Sequence, residues 1–253
     1  MLLAVDVGNT HTVLGLYEGA TLRHHWRLQT DSGRTMDEYG VMVRTLMTES
    51  ERTAIQGIAI ACVVPAMTRI MEGVCRAYLN VDALVVGPGI KTGMPIFYDN
   101  PREVGADRIV NAIAAYERTK DATIVVDFGT ATTFDVISKK GEYMGGVIAP
   151  GLGVASDALF ERAARLYRVE LVKPKQVVGR NTVHAIQAGL FYGYVSLVDG
   201  LVDRIRKENK CNSRVIGTGG FANLLAPESE TIEEIDEFLT LDGLRLLYER
   251  NAE

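Results

Sequence analysis

Two aspartates each end an apolar run and open a glycine-centred turn. Val5-Asp6-Val7-Gly8-Asn9-Thr10-His11-Thr12-Val13 and Val126-Asp127-Phe128-Gly129-Thr130-Ala131-Thr132-Thr133-Phe134 repeat Val, Asp, Gly and Thr at an offset of 121. Apolar residues precede each Asp (Leu2 to Val5; Ile124 to Val126) and follow each turn (Val13 to Tyr17; Phe134 to Ile137). Each copy therefore reads as a tight hairpin with a carboxylate at the end of its first strand. Such a turn suits a polyphosphate: glycine lets main-chain N–H groups approach anionic oxygens, Thr hydroxyls add donors, and the Asp can hold a hydrated Mg²⁺ on the same oxygens. One D-x-G-x-T turn is also an ordinary hairpin connection, so it is the duplication that favours phosphate chemistry.

The elements that must position these turns also repeat. The first half reads as strands 2–7, 12–18 and about 21–29, a helix at about 36–49, a strand at 55–63, a helix at about 66–79 and a strand at 83–86. From about 120 the order restarts with strands 123–127, 132–138 and 142–149, helices 152–166 and 183–208, a strand at 214–217 and a short helix from about 219. Three meandering strands followed by β-α-β resemble an RNase H-like half. The expected fold is thus α/β, with two domains at 1–117 and 118–253, each a mixed five-stranded sheet with helices. A Gly/Pro-rich loop from Gly87-Pro88-Gly89 to Pro101 leads into a helix at about 102–118, with Val104, Ile109, Ile113 and Tyr116 near helical spacing, which is expected to cross from one domain to the other. The apolar stripe of 183–208 is wide enough to be internal or to serve a homodimer contact, and both readings stay open.

Composition narrows the function classes. The chain has 253 residues, 47% of them hydrophobic, and a net charge of −5 with no long basic run. That is a soluble globular balance which advertises neither a nucleic-acid nor an anionic-membrane surface. Cys62, Cys75 and Cys211 are widely spaced and lack any C-x-x-C, so they suggest neither a disulfide framework nor a zinc site. A reduced cytoplasm fits. The chain enters a strand at once, without a basic leader, and no run is expected to approach the roughly 20 apolar residues of a membrane span.

Three motifs imitate other folds. Asp127-Phe128-Gly129 and Ala226-Pro227-Glu228 copy protein-kinase marks, but no H-R-D loop or V-A-I-K strand accompanies them. Gly87-Pro88-Gly89-Ile90-Lys91-Thr92-Gly93 lacks the glycine that a Walker A loop needs directly before its lysine.

The paired turns resemble the phosphate clamp of the actin, sugar-kinase and Hsp70 ATPase superfamily, in which duplicated RNase H-like domains face each other across a cleft. Gly105-Ala106-Asp107-Arg108 narrows the likeness. Together with the Asp6–Thr10 and Asp127–Ala131 turns, the Gly87–Gly93 loop, Tyr98-Asp99-Asn100-Pro101 and Gly179-Arg180-Asn181-Thr182, it makes the chain resemble a type III pantothenate kinase in order through nearly its whole length. The resemblance implies ATP-dependent phosphorylation of the primary hydroxyl of pantothenate to 4'-phosphopantothenate, the first step of coenzyme A synthesis. It also implies a cytoplasmic homodimer that needs Mg²⁺ and a monovalent cation, K⁺ or NH₄⁺.

Residue roles follow from the chemistry and the resemblance together. Phosphoryl transfer needs a positioned alcohol, support for the phosphates and a carboxylate to accept the alcohol proton. Asp107, near a helix start, is the expected general base; the alternative is a carboxylate that only complements the helix dipole. Arg108 would pair with the pantothenate carboxylate, or form a surface salt bridge. Asp6 would contact Mg²⁺ through water, with Val7, Gly8, Asn9, Thr10, His11, Thr12 and Val13 around the phosphates and His11 equally well a filler of the turn. By resemblance, Asp127 is the K⁺ ligand, Gly129 and Thr130 contact ATP, and Tyr98, Gly105, Ala106 and Thr182 join Asp107 and Arg108 at pantothenate. Thr182 could also be an N-cap. Gly217-Thr218-Gly219-Gly220 is either an adenosine contact or plain turn chemistry. Phe97, where a basic residue is frequent, and Tyr167, where Pro is frequent, depart from the family pattern. Two other readings share the scaffold: a non-catalytic regulator like the Bvg accessory factors, and a kinase for another small alcohol.

Overall fold

The computed structural model describes residues 1–163 and 166–252. Its first elements are β1 (Leu2–Val7), β2 (His11–Glu18), β3 (Thr21–Gln29), α1 (Met36–Leu46), α2 (Glu49–Ala54), β4 (Gly57–Cys62), α3 (Pro65–Val74) and β5 (Ala83–Val85). After a 3-10 turn at Pro101–Glu103 come α4 (Ala106–Thr119), β6 (Thr123–Phe128), β7 (Ala131–Ile137), β8 (Tyr143–Pro150), α5 (Leu152–Arg162) and α6 (Thr182–Asn209). The chain closes with β9 (Arg214–Thr218), α7 (Ala222–Leu225), β10 (Glu234–Ile235) and α8 (Leu239–Asn251). The expected continuation of α5 to 166 includes Ala164 and Arg165, which lie outside the described residues.

Two five-stranded sheets result, ordered β3-β2-β1-β4-β5 and β10-β9-β6-β7-β8. Read from the other end, the second repeats the first. In each, the Asp-bearing strand is central, antiparallel to the next strand and parallel to a later one (β4 or β9). A central strand covered on both faces has to be almost continuously apolar, as Leu3-Ala4-Val5 and Ile124-Val125-Val126 are.

Two compact units form, Met1–Ala114 with Leu239–Glu253, and Ala115–Phe238. The division falls inside α4, and α8 joins the first unit rather than the second domain to which the sequence assigned it. Packing explains this: Leu241, Leu244 and Leu247 of α8 are buried, and Tyr17 in β2 donates to Asp242 Oδ1 at 2.8 Å. Gly57 of β4 is so near the ring of Tyr248 that a Cβ there would meet it at about the distance of a covalent clash.

Local chemistry sets the helix ends. The single helix expected at 36–49 is two helices, because Thr48 and Glu51 form a second capping box behind the one made by Thr35 and Glu38. Pro65 starts α3, which ends in a π-helical turn at Cys75–Leu79. All three cysteines are free thiols, and burial pushes that of Cys75 up to about 12. α6 corrects the expectation about apolar runs: it is long and apolar enough to cross a membrane by length and composition. Its residues Ile186, Leu190, Phe191, Val198 and Val202 are nonetheless built into the core of the second unit with Phe134, Val136 and Val215.

The two hairpins are not superimposable residue for residue. Val7 pairs with Thr12, leaving four residues in the first turn, whereas Phe128 pairs with Thr132, leaving three in the second. The constant offset therefore holds through β1 and β6 but drops by one in β2 and β7. Thr12 corresponds to Thr132 and Leu14 to Phe134, and all four are buried.

Candidate active site

In the first unit the turn Gly8–His11 is closed by Gly8 N–H donating to the His11 carbonyl at 3.0 Å. A Cβ on Gly8 would lie 3.2 Å from that same carbonyl oxygen, so glycine suits the tight reversal. Asp6 is half-buried opposite Val13, while Asn9, Thr10 and His11 are exposed at the tip. Burial, reinforced by Arg27, lowers the pKa of His11, so it is a neutral hydrogen-bonding group at pH 7 rather than a positive charge for phosphate. Thr12 differs from expectation. It is fully buried with its hydroxyl 2.9 Å from that of Thr30, where it ties β2 to the end of β3 beneath the turn. Val7 also lies in the core, so it can meet a ligand only through its main chain.

Gly105-Ala106-Asp107-Arg108 opens α4. Asp107 Oδ1 accepts from the Arg108 N–H at 2.8 Å, and the Gly105 carbonyl accepts from Ile109 N–H at 3.2 Å. Burial raises the Asp107 carboxyl above the usual carboxylate range, with the Arg108 N–H and guanidinium pulling the other way. A Cβ on Gly105 would stand 2.4 Å from Asp107 Oδ1, so the glycine makes room for the carboxylate. Arg108 is buried, which removes the surface salt bridge from its possible roles. Tyr98 is half-buried in the preceding segment.

In the second unit Gly129 N–H donates to the Ala131 carbonyl at 3.0 Å, and Thr130 is exposed at the tip. Two glycines from other elements clasp this turn. Gly151, just before α5, donates to the Thr130 carbonyl at 3.1 Å, and a Cβ on it would fall 2.3 Å from that oxygen. Gly219, with φ near +90°, would place a Cβ 2.4 Å from Asp127 Oδ1 and 2.7 Å from Phe128 N. The Gly217–Gly220 motif is therefore explained in part by close backbone approach to Asp127. Neither glycine's contact with the turn was legible in the sequence, because each joins residues far apart in it. An Asp followed by glycines at strand ends is the only signal it offered.

Thr182 is exposed in the first turn of α6, but the cap is Asn181, whose side chain accepts from His184 N–H at 2.8 Å. Thr182 is thus released from the capping role. With Arg180, Asn181, Leu159, Ile186 and Leu190 it lines an open cavity of about 620 Å³. Gly179 packs on the same helix turn, where a Cβ would lie 2.3 Å from Ala185 N. Among the described residues no three His, Cys, Asp or Glu side chains gather as a metal cage. Asp6 and Asp127 each stand at the end of a strand beside their own unit's turn of main-chain groups.

Comparison with known proteins gives the chain its family. The sequence model of type III pantothenate kinase matches residues 2–204. The chain is 56% identical to a type III pantothenate kinase of Pelobacter propionicus, covering 99% of this chain and 100% of that one. It is 55% identical to another of Geobacter sulfurreducens, with both chains fully covered. Among solved structures, a Campylobacter jejuni protein named for a Baf family of transcriptional activators aligns with a TM-score of 0.63 at 20% identity, over 99% of this chain and 98% of that one. An inorganic polyphosphate/ATP-glucomannokinase of Arthrobacter aligns with 0.52 at 13%, over 98% of each. These last two show a shared fold alone. The sequence matches lead to one conclusion: the chain is a kinase and belongs to the type III pantothenate kinase family.

Proposed function

We propose that this chain transfers the γ-phosphoryl group of ATP to the primary hydroxyl of pantothenate, giving 4'-phosphopantothenate for coenzyme A synthesis, with Asp107 as general base. The observation that carries the mechanism is the state of Asp107: a carboxylate at the start of α4, fixed by the Arg108 N–H and raised in pKa by burial, is a stronger proton acceptor than an exposed aspartate. It takes the hydroxyl proton as the alcohol oxygen bonds to phosphorus and the bond to ADP breaks. Arg108, buried beside it, offers a guanidinium to the pantothenate carboxylate, with Tyr98, Gly105, Ala106 and Thr182 as further acceptor contacts.

Asp6 with Gly8, Asn9, Thr10 and His11 takes the phosphates through main-chain and side-chain donors, and Gly129 and Thr130 add ATP contacts. Bound Mg²⁺ would neutralise charge building on the phosphates, and one carboxylate with water-filled positions is the kind of protein support it takes. Asp127, whose oxygen is backed by Gly219, would hold K⁺ or NH₄⁺, its carboxylate oxygen replacing part of the ion's hydration shell.

The working form is a cytoplasmic homodimer joined through α6. Ala185, Gly189, Gly193, Ser196 and Gly200 are exposed at helical spacing, and a Cβ on any of these three glycines would meet nothing within 4 Å. That small-residue face permits a close helix approach, and a light-scattering mass of one chain would overturn it. The activity is tested by coupled ADP release with Mg-ATP and pantothenate in K⁺ and then in Na⁺. Pantothenate-dependent turnover that requires K⁺ is expected. ATP binding without transfer to pantothenate in either salt would favour the regulatory reading, and turnover with another alcohol would favour a different acceptor.

A further inference from the structure

Between β5 and α4 the chain carries little regular structure beyond the turn at Pro101–Glu103, yet this stretch leads through Tyr98 to Asp107 and Arg108. A segment of that kind keeps one conformation only if neighbouring elements hold it. Within the first unit, α8 holds it at Lys91–Gly93 and packs against the helix that follows it. Asn251 Oδ1 accepts from the Lys91 N–H at 3.1 Å and Nδ2 donates to the Lys91 carbonyl at 3.0 Å, so the side-chain amide acts as a strand partner for one residue of the loop. The same Nδ2 donates to the Leu247 carbonyl at 2.9 Å, one helical turn back, which fixes the amide's orientation. Next to it, Arg250 Nη1 donates to the Thr92 carbonyl at 2.7 Å. Gly93, with φ near +68°, turns beneath that guanidinium, where a Cβ would be 3.0 Å from Nη1. Gly243 of α8 meets α4 so closely that a Cβ would sit 2.0 Å from the carbonyl oxygen of Val110, two residues beyond Arg108.

We infer that α8 braces the acceptor side of the site, and that Asn251 is a positioning residue which sets the affinity for the acceptor alcohol by fixing the loop at Lys91. This rests on the reading that Tyr98, Asp107 and Arg108 receive pantothenate. α8 lies beyond residues 2–204, the span matched by the family model.

The variant Asn251→Asp is nearly isosteric. It can still accept from the Lys91 N–H but loses both donations and sets a carboxylate against two carbonyls. Two readouts are compared with wild type: trypsin cleavage after Lys91, followed by mass spectrometry, and KM for pantothenate and for ATP separately. Faster cleavage is expected, with KM for pantothenate about tenfold higher, as expected for a lost hydrogen bond, and KM for ATP within twofold. Unchanged cleavage overturns the brace. Faster cleavage with KM for pantothenate unchanged overturns the positioning role, as does an equal rise in both KM values. Asn251→Ala serves as a second variant, and agreement between the two excludes an effect of the new charge alone. A wild-type chain inactive on pantothenate would instead sink the functional reading, and the cleavage comparison would still decide whether Asn251 holds the loop.

Discussion

Gly105→Ala separates catalysis from folding. The added Cβ would stand 2.4 Å from Asp107 Oδ1, where ordinary contact begins at 3.4 Å, so the oxygen has to retreat by about 1 Å. The obstacle is the end of a side chain, which can rotate, so the fold is disturbed little; loss of a glycine N-cap costs a few tenths of a kcal/mol to about 1 kcal/mol. The retreating oxygen leaves the Arg108 N–H, now at 2.8 Å, and a misplacement of roughly 1 Å in a reacting group costs on the order of 10²-fold in rate, about 2.7 kcal/mol of transition-state stabilisation. Losing that N–H also removes one of the influences that lower the Asp107 pKa, so the acid limb of the rate profile moves to higher pH. Steady-state ADP release across pH, with a thermal melt as control, reads both effects. A kcat within twofold of wild type, or an acid limb moved to lower pH, would refute the placement of Asp107 as base.

Two further substitutions probe the neighbouring chemistry. Asp107→Asn keeps an acceptor for the Arg108 N–H but removes the base, and kcat falls by about 10²–10⁴-fold. Because the folded-state pKa of Asp107 is raised, the native state holds that proton more tightly than the unfolded chain, so this carboxyl subtracts stability as pH rises through its window. The Asn variant should thus be no less stable than wild type at pH 7 and should lose any advantage in acid; a clear drop in its urea midpoint at neutral pH would count against the burial argument. Gly219→Ala meets main-chain atoms of Phe128 that cannot swing aside, and adopts a φ that L residues avoid. About 1–3 kcal/mol of backbone strain and a similar amount from overpacking are expected. Urea denaturation measures the loss, and wild-type stability would show that the second turn is not held in this way.

The sequence made all the strands but β10 legible because their signals are local; β10 is two residues long and leaves no such signal. Apolar runs ending in Asp and Gly marked both hairpins, and the capping box of Thr35 with Glu38 at the start of α1 could have been read from the sequence but was not. It did not reveal α8, whose apolar residues Leu241, Leu244 and Leu247 sit among Asp242, Arg245 and Glu249 without a clear cap at the start, and whose place in the first unit depends on partners more than a hundred residues away. The split into α1 and α2 could have been read from Thr48 and Glu51 but was masked by the continuing helical composition. At the site, glycine motifs located the turns. Which glycine backs which carboxylate is a matter of tertiary packing, and so is the retreat of Thr12 into the core.

The unequal turns bear on how the two halves can be recombined. A segment exchange cut at the constant offset of 121 would graft Val13 onto the position of Phe134. It would bring four turn residues to a hairpin built for three, and if the strand slipped to absorb the extra one, every side chain along β7 would change faces. Phe134 and Val136 would leave the apolar cluster of the second unit, and Thr133 and Asp135, the latter already buried on the opposite face, would turn into it. Junctions placed after Val7 and before Thr12, matched to Phe128 and Thr132, keep both faces intact and change only the length of the loop. The hairpin tip is therefore the place where one residue can be gained or lost without the strands registering it.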